Sequence, residues 1–473
     1  MISGLIVLAA VAAGWFSFRT PVRAVVLLPE TQPLAFAVSP QPPRAVVGMA
    51  GCLATACHGG PAEKMLSGPK DRDCWQCSGS CWQACDPHTS AYSLLTDSPR
   101  RPVRATARQI MERLNLKGPA TEDARCLACH TNPALALGDL HDSRLASLRA
   151  EGVSCEACHG NAGDYLHEHT RWTNASRSGG HAASGMTFLN HVAECATVCM
   201  GCHVGAPAGE GRATRDMNHD MIAAGHPRLN FDFAEYLRRL PRHWQDRERA
   251  VAGDHPRTSE FEARVWYTGR IAHAEAACNL LADRIKRSQS DPRSTWPEFA
   301  EFNCAACHHT VPNEEMQKAS ELGKRPPGAL PWQSIWPLTE SSLASQTEPA
   351  QAALASLLKL LEKPRIPRGE AVAGPAKTAA ESLAKLKANL DHLPDREFAN
   401  LVMGFFKRVD VATLDPDELG QVIQGLAAVE RSHGKTPDPN LLAKFDDAFG
   451  LLRRQNWQKS RVEMKALLGT LAP

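Results

Sequence analysis

Four times the chain sets two cysteines two residues apart and follows the second with a histidine: Cys126-Leu-Ala-Cys129-His130, Cys155-Glu-Ala-Cys158-His159, Cys199-Met-Gly-Cys202-His203 and Cys304-Ala-Ala-Cys307-His308. A helical turn carrying this pattern places both sulfurs on one side, where they form thioethers with two vinyl groups, and aims the following imidazole at an iron. The pattern is the attachment signature of c-type haem. Zinc ribbons pair their Cys-x-x-Cys knuckles two by two and do not require a histidine after each. A chain with four such signatures must wrap porphyrin rather than bury a conventional side-chain core.

A fifth candidate carries a longer loop. In GCLATACHGG, four residues separate Cys52 from Cys57 before His58. The second cysteine and its histidine fix the iron, so two extra residues can bulge outward without moving either. Taken alone, Cys52 and Cys57 read equally well as a disulfide of an exported protein. Five attachments between Cys52 and His308 make about one haem per fifty residues, with porphyrin supplying much of the interior. Aromatic content of only 6% and four tyrosines agree with that.

All 16 cysteines fall before Thr310, which divides the chain in two. Residues 1–47 read as a signal peptide or membrane anchor followed by a Pro-rich lead-in. Met1 to Phe18 is uncharged and apolar, although Arg19 and Arg23 follow it, the reverse of the usual charge order. Residues 48–310 form the multihaem cytochrome c domain, 311–349 a Pro-rich linker, and 350–473 a helical domain. In the last, Leu354, Leu357, Leu358 and Leu361 make one apolar stripe, and Leu383, Leu386 and Leu390 a second after the break from Pro364 to Pro375. Phe398, Leu401, Val402 and Phe405 make a third. Asp415 and Pro416 start a later helix and Gly434 ends it. The spacing predicts about six antiparallel helices, a packing or docking module. Strand signals are sparse, so the fold class is mainly α, a multihaem domain with little regular sheet plus a C-terminal helical bundle.

The formal charge of +2 has no basic block, which excludes a nucleic-acid binder. Two propionates on each haem turn the holoprotein mildly negative.

The order CHGG, DPHTSAYSLL, CLACH, GVSCEACHG with YLHEH, then CMGCH resembles the tetrahaem cytochrome c-554 family over roughly residues 48–205. The resemblance implies that Cys52, Cys57 and His58 form a haem site with an unusual loop. It further implies that His88 and His169 are distal ligands and that one haem, at the second motif with Cys126, Cys129 and His130, lacks a protein sixth ligand. The fifth motif and the C-terminal helices exceed that family, so the chain reads as an enlarged, pentahaem relative.

The proximal ligands are then His58, His130, His159, His203 and His308. His167 competes with His169, while His219 and His226, seven residues apart, would stand about 10.5 Å from each other on a helix and face neighbouring haems. Gly225 and Pro227 put His226 at a helix end. His191, His273 and His309 read as ordinary polar histidines. Cys74, Cys77, Cys81 and Cys85 read as disulfides or as a metal cluster, with Cys195 and Cys278 left over. No Cys-x-x-Cys-Lys occurs.

Two functions fit. One is an exported cytochrome, periplasmic or otherwise outside the cytoplasmic membrane, relaying electrons between redox partner proteins, among them a membrane-associated respiratory complex. The other is an enzyme acting on a small nitrogen or sulfur oxyanion at one five-coordinate haem.

Overall fold

The computed structural model describes residues 44–61, 75–97, 103, 105–173, 180, 183–243, 261–302, 348–361, 363, 367–407, 409–411, 414, 416–432, 438–453 and 457–471. The fifth motif (Cys304, Cys307, His308), the N-terminal segment, Cys74, His309, Asp415, Gly434 and the linker as far as residue 347 lie outside them.

Short helices come first: α1 (Met49–Cys52), α2 (Ser78–Cys85), α3 (Ala107–Arg113), α4 (Ala124–His130), α5 (Ser143–Ala150) and α6 (Cys155–His159). Their starts follow local capping chemistry. Thr106 and Gln109 make a reciprocal capping box on α3, Asp123 caps α4, and Asp142 caps α5 with two amides. Next come α7 (Val192–His203), α8 (His219–Ala223) and α9 (Phe233–Arg239). Between α7 and α8, β1 (Gly205–Ala206) pairs antiparallel with β2 (Arg215–Asp216), Gly205 opposite Asp216.

A buried carboxylate holds the start of the described chain in place. Glu156, 2% exposed, accepts from the amides of Val47, Gly48 and Ala162. Arg149, equally buried, donates to the carbonyls of Leu135, Gly138 and Asp139, satisfying a loop that carries no ladder of its own.

The 30-residue α10 (Phe261–Ser290) is the axle of the fold. Phe261, Val265, Trp266, Tyr267, Ile271, Leu281 and Ile285 are buried on several of its faces, which requires cover all round. That cover comes from α7, α9 and three C-terminal helices, α12 (Gly369–Leu390), α13 (Asp395–Phe406) and α14 (Pro416–Arg431), while α11 (Glu348–Leu361) packs on α12, and α15 (Pro439–Arg453) and α16 (Trp457–Leu471) pack on each other and on α14. One apolar core runs from Val192, Ala196 and Met200 of α7 through α10 to Met464 and Leu467 of α16. The bundle therefore shares its interior with the helix that carries the fourth motif.

The three apolar stripes face inward, with Leu354, Leu357, Leu361, Leu383, Leu390, Phe398, Val402 and Phe405 at most 2% exposed. One boundary differs from the sequence reading. Helix α12 begins at Gly369 and passes through Pro375 instead of starting beyond it. The proline removes one N–H from the ladder, yet Val372, Ala376, Ala379 and Ala380 are buried, and their packing carries the helix across the gap. Buried charges on α10 are partnered: Arg264 donates to Leu390 O, and Arg284 binds Asp216 and Glu301. Among the described residues no helix is long and apolar enough to cross a membrane.

Candidate haem-binding sites

Three motifs end their helices on the histidine. CLACH is the last part of α4, CEACH is the whole of α6, and CMGCH closes α7. Each histidine is thus the last residue before the chain leaves the helix, in keeping with the mechanical reading of the spacing. At the first motif, α1 ends at Cys52 and the chain turns. The His58 amide bonds back to Cys52 O at 3.1 Å and the Cys57 amide to Ala54 O at 2.8 Å. Ala54, Thr55 and Ala56 are exposed while Cys52, Cys57 and His58 are half-buried, so the longer loop does bulge outward.

The fold then brings histidines together in pairs. His58 and His169 have ring centroids 6.3 Å apart with planes 16° from parallel. His88 faces His203 at 6.1 Å and 85°, and His130 faces His226 at 6.3 Å and 87°. Two imidazoles on opposite faces of one iron are separated by two metal–nitrogen bonds of about 2.0 Å and about 1.1 Å more on each side to the ring centre. The total is about 6.2 Å, so the pairs have the span of a six-coordinate haem.

Hydrogen bonding at the other ring nitrogen agrees. Nδ1 meets Ser78 Oγ at 2.9 Å in His58, Asp86 Oδ1 at 2.8 Å in His88, Ala91 O at 2.8 Å in His130, Tyr165 O at 2.9 Å in His169 and Pro227 O at 2.9 Å in His226. A carbonyl or carboxylate acceptor at Nδ1 holds the proton there and leaves the Nε2 lone pair free to bind metal, the arrangement of metal-bound histidines. Burial also lowers the titration of three of the rings. It lowers His130 and His226, and brings His203, beside His88, down to about 4. His203 is stacked on Phe231 at 4.4 Å with Tyr236 nearby.

The thiols approach across motifs. Cys52 shares a hydrogen bond with Cys155, and Cys129 with Cys202. That bond draws Cys202 down to about 7, with Arg215 assisting, while Cys129 stays well above the usual range. Burial pushes Cys126 and Cys158 up to about 12. A cavity of about 240 Å³ opens beside Cys202, Arg212 and Arg215, and Arg215 Nη1 is buried without a hydrogen-bond partner. A porphyrin propionate is an acceptor that would satisfy it. Among the described residues no three of His, Cys, Asp or Glu gather as a metal centre.

The positions of the other candidates match some expectations and change others. The second motif, which the family resemblance leaves without a sixth ligand, is faced by His226. His219 and His226 do not share a helix: His219 opens α8, whereas His226 follows Gly225 at φ +115°. The His219 amide donates to Glu298 Oε1 at 2.8 Å and its ring meets Phe299 at 5.5 Å. His167 is exposed and His169 is the paired ring. His191 packs on Phe188 and binds Asp391 at 3.2 Å. Cys77 is disulfide-bonded, Cys81 is buried and Cys85 exposed. The Nδ1 partners were not read from the sequence, although Asp86, two residues before His88 in an Asp-Pro-His turn, was a visible signal.

No curated protein and no solved structure matches the chain. Residues 70–160 match the family model described as cytochrome c554 and c-prime. With that match spanning the second and third attachment motifs and His88, the chain resembles the c-type cytochromes of this family and binds haem c covalently.

Proposed function

We propose that the protein is an exported pentahaem cytochrome that passes electrons between redox partner proteins along a row of mostly bis-histidine haems. The trio of imidazole pairs carries this reading. An iron with a protein ring on each face is low-spin, offers no position to a substrate and changes oxidation state with little rearrangement. Haem c supplies the one-electron chemistry when bound. The chain's own residues hold the imidazoles in place and orient them through Nδ1.

Thiol contacts support a row rather than isolated centres. Cys52 touches Cys155, Cys158 lies near Cys202, and Cys202 touches Cys129. Neighbours then run from the first motif to the third, the fourth and the second, which keeps porphyrin edges close, and tunnelling falls steeply with distance. Thioether attachment and the Cys77 disulfide both suit a compartment outside the cytoplasmic membrane. The mildly negative holoprotein fits partners with a positive docking face.

Two measurements on the purified full-length protein test the proposal: intact mass for the haem count, and electron paramagnetic resonance of the ferric form. Nearly parallel axial rings split the iron d orbitals and give a rhombic low-spin signal. Perpendicular rings leave those orbitals nearly degenerate and give a strongly anisotropic one. One species of the first kind (His58/His169) and two of the second (His88/His203 and His130/His226) are expected. A high-spin signal that shifts with nitric oxide or hydroxylamine would move the reading to catalysis at an open haem. Colourless protein would end both readings.

A further inference from the structure

The cysteine-rich run that supplies no attachment site, Cys77–His88, touches two of the histidine pairs at once. Its helix α2 begins at Ser78, whose Oγ lies 2.9 Å from His58 Nδ1. The next two amides, of Gly79 and Ser80, donate to the His58 carbonyl at 3.0 and 3.2 Å. A Cβ on Gly79 would stand 2.9 Å from that carbonyl and 2.4 Å from Leu53 Cδ2, so only glycine permits this approach. At the other end Asp86, 2% exposed, caps the helix. Its Oδ1 accepts from the His88 amide at 2.9 Å and meets His88 Nδ1 at 2.8 Å. The two contact points are eight residues apart, roughly 12 Å along a helix axis. The buried Cys77 disulfide just before Ser78 and, between the two points, the Cys81 thiol, which donates to Arg242 O at 3.5 Å, anchor the helix to its surroundings.

We infer that Cys77–His88 is a brace common to two haem sites, in which Ser78 and Asp86 are positioning residues that set the orientation and basicity of His58 and His88. The inference rests on the ligation proposed above. A carboxylate against Nδ1–H draws the proton towards itself, makes the ring a stronger donor, favours ferric over ferrous iron and lowers the reduction potential. A hydroxyl or a carbonyl does less, because neither carries charge. Of the five Nδ1 contacts on the paired rings, only that of His88 goes to a carboxylate. The His88/His203 site therefore takes the lowest potential of the three, and the same helix separately positions the His58/His169 site.

The test uses the full-length holoprotein with Asp86→Asn, Asp86→Glu and Ser78→Ala, each checked for haem count by intact mass and then titrated potentiometrically with spectra recorded species by species. Asp86→Asn should keep the haem count and raise the midpoint of one of the two perpendicular-ring species, leaving the near-parallel species unmoved. Asp86→Glu should bring it back towards the parent value, and Ser78→Ala should move the near-parallel species alone. Unchanged midpoints in Asp86→Asn, or an equal shift of every species, would overturn the brace. If Asp86→Asn does not assemble, Ser78→Ala against Asp86→Glu decides by the same criterion of which species moves. Lack of low-spin species in the unaltered protein would instead defeat the ligation reading beneath it.

Discussion

His226 decides whether the second attachment site is open. Its ring stands 6.3 Å from His130, and its own Nδ1 is tied to Pro227 O. His226→Ala should therefore convert one perpendicular-ring low-spin haem to a high-spin one that binds cyanide or nitric oxide, read by absorption and magnetic resonance, with the other species unaltered. A histidine outside the pairs gives a second prediction. Burial, with Arg270 and Arg228 adding repulsion, holds His273 down to about 3. An unfolded chain has this group near 6.5. Between these values the unfolded state binds a proton that the native state refuses, so the group's effect is neutral above about pH 6.5 and costs stability as the pH falls towards about 3. His273→Leu should flatten denaturant midpoints across that window. The attachment motifs were legible because a five-residue pattern carries its own geometry. The ring pairs were legible only in part, since His226 and its partner are brought together by tertiary packing. The acceptors Ala91 O and Tyr165 O are backbone atoms that leave no trace in residue identity.

At the scale of elements, the cross-brace at the end of α10 ties the fourth-motif region to the segment leading to the fifth. Arg284 reaches Asp216 of β2 at 2.6 Å and Glu301 at 2.7 Å, all three at most 8% exposed. Removing the arginine leaves two carboxylates buried beside each other. Arg284→Met should cost about 3–5 kcal/mol in chemical denaturation, typical of a broken buried pair. The combined Arg284→Met, Asp216→Leu and Glu301→Leu variant should recover much of that loss. Helix existence was readable from the stripes of α11, α12 and α13, since a 3.6-residue period of leucine and phenylalanine has one reading. The start of α12 was not. Pro375 signals a break locally, and only the buried alanines around it show why the helix continues. Nor did local pattern show that α10, flanked by the multihaem segment and the linker, would be surrounded by the C-terminal helices.

For the molecule as a whole, that shared interior changes what a truncation does. If residues 348–473 were an appended docking module, removing them would leave the visible spectrum intact. With α10 packed against α7 on one side and α12, α13 and α14 on the others, the same deletion exposes Trp266, Tyr267, Ile271 and Ile285. We expect the truncated holoprotein to aggregate and to lose the low-spin spectrum of the fourth site, checked by absorption and light scattering. The histidine pairs add a global consequence of their own. His58 joins His169, His88 joins His203 and His130 joins His226, so each loop of about 100 residues opens before the previous one has closed. With iron held as proposed, its bonds would lace the chain in three interleaved stitches, none of which could be drawn out past the others. A newly haem-loaded chain must therefore find the correct knotting partner among many idle imidazoles, and wrong stitches must come undone before the last one is tied. Refolding from denaturant should run faster at about pH 5, where idle imidazoles are protonated and cannot grip iron, than at about pH 7.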